Sequence, residues 1–146
     1  MKKAVLLLLF SLVLGCAATP LKTASGRPEV TIRGKTIAQV RATAVNFFVD
    51  NGWAPVQTAG SQLVFEREGS AGQSFLMGMM TNNPQSKNRI TLTLVEKGEN
   101  VRVVAGVAVI GQNTFGAQQT VELQGKGYQQ LQAALETLKT KAERKG

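Results

Sequence analysis

The sequence predicts an α+β fold: a curved antiparallel sheet packed on helices, in the element order β-α-β-β-β-β(-β)-α. Three observations carry this expectation. A capped amphipathic helix follows a first short strand, alternating segments separated by glycine-containing turns fill the middle of the chain, and a second amphipathic helix closes it. Strands that run consecutively between two helices favour antiparallel hairpins over parallel βαβ units.

Residues 28–35 open the domain. Val30 and Ile32 fall on one side and Thr31 and Arg33 on the other, the two-residue period of a half-exposed strand. Gly34 and Lys35 turn the chain. Thr36, with Gln39 three residues later, forms a capping box in which each side chain satisfies the other residue's free backbone amide. Ile37, Val40, Ala44, Phe47 and Phe48 keep a three-to-four spacing, which predicts a helix to about Asp50, ended by Asn51-Gly52. Residues 53–58 and 62–67 read as the second and third strands, joined by Ala59-Gly60-Ser61. Leu63 and Phe65 share one face of the third strand; Val64, Glu66 and Glu68 share the other.

Residues 69–88 are long for a connection, with polar ends and the apolar middle Phe75-Leu76-Met77-Gly78-Met79-Met80. Connections of this length tend to be functional or to lack fixed structure. Residues 89–97 alternate most clearly, Ile90, Leu92 and Leu94 against Thr91 and Thr93. Gly98-Glu99-Asn100 turns the chain into residues 101–110, which are apolar on both faces: Val101, Val103, Ala105, Val107 and Val109 against Val104, Gly106, Ala108 and Ile110. Such a strand is either central and covered twice, or it offers one face to a partner. Residues 115–123 read as an irregular extra strand whose pattern is interrupted by glutamines. After Gly125-Lys126-Gly127, a final helix is marked by Tyr128, Leu131, Leu135, Leu138 and Ala142. Lys139, Lys141, Arg144 and Lys145 sit favourably at the negative end of its dipole.

Ahead of the domain, Lys2 and Lys3 precede a run from Ala4 to Leu14 that is apolar except for Ser11, and Gly15-Cys16 closes it. Residues 1–15 have the pattern of a signal peptide. At about 1.5 Å per residue, its apolar part falls well short of the roughly 30 Å hydrocarbon layer. The run Val13-Leu14-Gly15-Cys16 resembles the lipobox of bacterial lipoproteins, although Leu14 is bulkier than the residue usual there. The resemblance implies that cleavage leaves Cys16 as the first residue, lipidated on its sulfur and on the new amine by acyl chains such as palmitate. A secreted protein with a cysteine at this point by chance is the alternative. Residues 16–27 are small and polar, broken by Pro20 and Gly26, and read as the lipidated cysteine and a flexible tether to a single domain, 28–146. Ala17 occupies the place where an aspartate would retain a lipoprotein at the inner membrane. The resemblance therefore implies the outer membrane, with the periplasmic face favoured.

The element order over residues 28–143 is similar to TBP-like and helix-grip folds. Among envelope lipoproteins it is similar to BamC-like domains, accessory parts of the outer-membrane β-barrel assembly machine. This resemblance rests on element order without a diagnostic motif, so it implies a fold and no activity.

Removal of residues 1–15 leaves 131 residues, with 15 basic against 9 acidic side chains, a net of about +6. That excess suits an anionic surface such as lipid headgroups or a polyanionic glycan, and spread along the chain it equally suits a merely solvated surface. Nucleic acid is not expected as a partner of an anchored, exported chain. There is no histidine, and the one cysteine is Cys16, so the commonest general base, the commonest metal ligand and thiol chemistry are all missing. No metal site and no cofactor is expected.

Glu66 and Glu68 point the same way on one strand and form the one carboxylate pair suited to acid–base work; solvated strand-face glutamates explain them equally. Gly125-Lys126-Gly127 lacks the spacing of a phosphate loop. The methionine segment is the more informative candidate. Phe75, Leu76, Met77, Met79 and Met80 form a flexible, polarisable set that can repack against a protein partner or dip into a bilayer interface. Alternatively, the segment closes one end of the core. The function expected is a non-catalytic binding or assembly module held at the membrane with an envelope protein as partner. The alternative is a carrier of a hydrophobic small molecule or lipid between sheet and C-terminal helix, which an internal apolar cavity would favour. A third reading is an enzyme acting on envelope glycan through Glu66 or Glu68.

Overall fold

The computed structural model describes residues 20–68, 86–112 and 117–144. They form strand β1 (Glu29–Arg33), helix α1 (Ile37–Asp50), strands β2 (Ala54–Gln57), β3 (Gln62–Glu68), β4 (Lys87–Lys97), β5 (Asn100–Gln112) and β6 (Gln118–Glu122), and helix α2 (Lys126–Arg144). This is the expected α+β order, with the glutamine-rich segment forming the optional strand. The sheet is antiparallel throughout, in the order β2-β3-β4-β5-β1, and β6 also pairs with β5. One edge of β5 goes to β4 along its length. The other edge is divided between β1, at residues 100–104, and β6, at residues 108–112.

The local signals act as the sequence suggests. Thr36 Oγ1 accepts from the Gln39 amide at 3.3 Å, and Gln39 Oε1 accepts from the Thr36 amide at 3.0 Å. Removing such a cap typically costs about 1 kcal/mol. Lys97 pairs with Asn100, so only Gly98 and Glu99 join β4 to β5, and Gly98 has the positive φ, 63°, that a type II′ turn requires at its first position. Strand β4 starts at Lys87, two residues before the expected start. Asn88 is turned inward and is 5 % exposed, so a buried polar residue had broken the visible alternation.

Both helices cover the same face of the sheet. Val40, Ala44, Phe47 and Phe48 of α1 and Leu131, Leu135, Leu138 and Ala142 of α2 form one cluster with the inward residues of β1, β3, β4 and β5. Phe48 stacks on Phe65 with ring centroids 4.8 Å apart and meets Phe47 and Trp53 edge-on at 5.2 and 6.4 Å. The first turn of α2 lies close on β5 because Gly127 has no side chain. A Cβ there would stand 3.1 Å from Leu123 Cβ and 3.6 Å from Val107 Cγ1.

Part of the stretch that reads as tether is tied to the domain. Leu21 packs against the core, and residues 23–27 form a turn in which Thr23 Oγ1 donates to the Arg27 carbonyl at 2.6 Å. Glu29 accepts from the Ala24 amide at 3.2 Å and from the Ser25 hydroxyl at 2.5 Å. Hydroxyls bonded to a backbone carbonyl and to a carboxylate leave no hydrophobic period, so the segment resembles a linker in sequence although its end is ordered.

Candidate functional site

Both α1 and α2 lie on one face, so among the described residues the opposite face of the sheet carries no helix. The outward residues of β5 lie there, and strand register fixes their neighbours. Val64 stands opposite Thr91 and Thr91 opposite Gly106; in the next row Thr93 stands opposite Val104 and Val104 opposite Glu29. These central side chains are small and half-buried, and Val95 at the end of the face is 46 % exposed. The two-faced apolar pattern of β5 thus corresponds to a central strand covered by helices on one face; on the other, Val104, Gly106 and Ala108 are half-buried in a mixed aliphatic and hydroxyl surface, and Ile110 at the far end is 5 % exposed.

Ion pairs border this surface. On one side Arg89 donates to Glu66 Oε1 through Nε at 2.9 Å and through a second guanidinium nitrogen at 2.5 Å, while Lys87 lies 3.8 Å from Glu66 and 3.5 Å from Glu68. On the other side Arg102 reaches Glu29 at 2.5 Å. Half-exposed pairs of this kind contribute at most about 1 kcal/mol each. Their larger effect is to hold long side chains aside from the central rows. A middle of small aliphatic and hydroxyl side chains with a charged, mutually satisfied rim suits a protein-binding surface.

A third cluster sits where β1 and β6 meet along β5. Glu122 accepts from the Tyr128 hydroxyl at 2.6 Å and pairs with Arg27 at 3.1 Å, its carboxylate lying over Gly106. Burial, then the hydrogen bond to Glu122 and its negative charge, push the Tyr128 phenol up to about 12, with Arg27 opposing. The chain has one tyrosine, so phenolate absorbance reports this group alone. Its titration midpoint is expected at about 12, and Glu122→Gln should bring it down towards 10. The folded chain holds this proton more tightly than the unfolded one does. The resulting stability is therefore complete below pH 10 and is lost as pH rises through about 12.

Glu29 shifts the other way. Burial raises its pKa, but the hydrogen bonds from Ser25 and Arg102, the Arg102 charge and the Ala24 amide together outweigh burial and hold the carboxyl below its usual range. Its contribution to stability is present above the ordinary carboxylate value and fades as pH falls through the lowered one.

The residues singled out from the sequence are distributed unevenly over the described chain. Signal residues 1–15, Cys16, and Phe75, Leu76, Met77, Met79 and Met80 lie outside the described residues. Glu66 and Glu68 do share a side of β3, and both are engaged by Lys87, with Glu66 also held by Arg89; an ion-pair ladder accounts for their positions. The Arg27–Glu122–Tyr128 cluster has no sequence signal, since Arg27 and Glu122 are 95 residues apart. Among the described residues no group of three or more acidic, histidine or cysteine side chains could hold a metal ion. No helix among them is long and apolar enough to cross a membrane. Compared with known families, characterised proteins and solved structures, the chain matches none.

Proposed function

We propose that this chain is a lipoprotein of the bacterial envelope, anchored through lipidated Cys16 at the outer membrane, and that its domain is a non-catalytic binding or assembly module on the periplasmic side. Its contact surface is the sheet face opposite α1 and α2, around Val64, Thr91, Thr93 and Val104, together with the apolar segment containing Phe75, Leu76, Met77, Met79 and Met80. The observation that carries this reading is the second face of β5, where Val104, Gly106 and Ala108 are half-buried between the Arg89–Glu66 and Arg102–Glu29 ion pairs. The anchor rests on the lipobox resemblance at Val13-Leu14-Gly15-Cys16.

A gripping surface is favoured over a carrier by the way the interior is filled. Phe48, Phe65, Leu92, Leu135 and Leu138 are each no more than 2 % exposed and occupy the space between sheet and helices. The grooves of about 270 and 290 Å³ are open to solvent beside α1, with Gln39, Thr43, Asn46 and Phe47 in their walls and no sheet residue among their lining.

Photo-crosslinking from Phe75 and Met77 in intact cells tests the reading. A discrete protein adduct is the expected result. Lipid adducts only, or none, would count against a protein partner.

A further inference from the structure

Among the described residues the sheet has three edge strands, β1, β2 and β6, and the chain treats them differently. The outer edge of β1 is sealed by α2. Gln132 Oε1 accepts from the Glu29 amide at 2.8 Å and its Nε2 donates to the Glu29 carbonyl at 3.0 Å. Lys139 Nζ donates to the Thr31 carbonyl at 2.6 Å, and Glu143 Oε1 accepts from the Arg33 amide at 3.0 Å. Strand β2 is blunted by other means: it has 4 residues, contains Pro55 with no amide hydrogen, and is irregular between Pro55 and Gln57. Such devices prevent strand-to-strand association.

Strand β6 has neither device. Leu123 N–H donates to the Val107 carbonyl at 2.8 Å, which sets the alternation of the ladder. Gln119 and Val121 therefore turn their backbone groups to β5, while Gln118, Thr120 and Glu122 turn theirs outward. All 5 residues of the strand are exposed. Among the described residues, no strand pairs with that edge.

We propose that β6 pairs antiparallel with β6 of a second copy of this chain, across a two-fold axis at Thr120. The strand is self-complementary in that register. Thr120 stands opposite Thr120 of the second copy, and Gln118 opposite Glu122, which sets an amide donor against a carboxylate. Glu122 is the one charged residue of β6, and Arg27 already holds it at 3.1 Å, so no like charges meet across the axis. The backbones exchange two hydrogen bonds at each of the outward-facing pairs, and the two sheets become one. Such a pairing is small beside the roughly 1,600 Å² of a standard interface, so it is weak between free chains. Confinement of both copies to one bilayer strengthens it, a gain that rests on the anchor reading.

The test is oxidative crosslinking of full-length Thr120→Cys chain, in whichever cell fraction holds it, with diamide as the oxidant. Directly opposed Cα atoms in a hydrogen-bonded pair are about 5.5 Å apart, within disulfide reach. The expected result is that most of the chain runs as a disulfide dimer, while Ala38→Cys, on the exposed side of α1, remains monomeric. Energy transfer between labelled full chains reconstituted in one lipid vesicle gives the second measurement. There Thr120→Lys, which sets two cations face to face, should weaken the dimer at least about tenfold, with far-UV circular dichroism unchanged. The proposal is overturned if the Thr120→Cys thiol is accessible to reagent yet forms no dimer, if it crosslinks to a different protein, or if Thr120→Lys leaves the dimer intact. Failure of the anchor would appear separately, as recovery of the chain in the soluble fraction.

Discussion

Phe48→Ala is expected to lower the free energy of unfolding by about 3–5 kcal/mol, the cost of deleting a buried aromatic ring together with the cavity it leaves. Phe48 is 2 % exposed and is the one side chain in ring contact with Phe47, Trp53 and Phe65 at once, so it joins α1 to the chain after it and to the sheet. Collapse around the gap is opposed because its neighbours sit on α1, on the turn that follows it and on β3. Domains of this size are stable by about 5–15 kcal/mol, so the variant should be marginal at physiological temperature. Urea unfolding followed by circular dichroism measures the change. A loss under about 1 kcal/mol would show that the core does not depend on this ring.

Cys16→Ser is expected to move the chain from the membrane to the soluble fraction. Each buried CH₂ of an acyl chain contributes about 0.8 kcal/mol, and two chains suffice for stable attachment. A basic side chain near an anionic surface contributes only about 1 kcal/mol, and salt screens it. Of the described cations, Arg27, Lys87, Arg89, Arg102 and Lys139 are already paired with carboxylates, which reduces what charge alone can hold. Fractionation before and after a high-salt wash makes the measurement. Persistent membrane association of the serine variant would contradict the anchor.

Much of the fold is legible where the code is local. Thr36 and Gln39 bond to each other, and Gly98 sits in a two-residue turn, so a few neighbouring residues specify each feature. The alternation of β4 and the double apolar pattern of β5 likewise mark their faces directly. Distant pairings are not written this way. That β1 joins β5, with Val30 opposite Val103, follows from shape and burial across the whole chain. The polar residues of α2 illustrate the same limit: Lys139 reads only as a cation near the negative end of the helix, and Gln132 and Glu143 carry no signal, yet all three satisfy the outer edge of β1. Of the candidate site, the free face of β5 was visible as an unexplained second apolar stripe. Its charged borders were not, because Arg102 and Glu29 meet only once the sheet has formed.

The most direct test of the account is a photo-crosslinking residue at position 104, on the sheet face opposite α1 and α2, in the full-length chain in its own cells. The account predicts a discrete protein adduct from Val104 that is absent when the same probe replaces Ala38 on α1. Equal labelling from both positions, or lipid alone at position 104, would contradict the claim that this domain works by gripping a partner with its open sheet face.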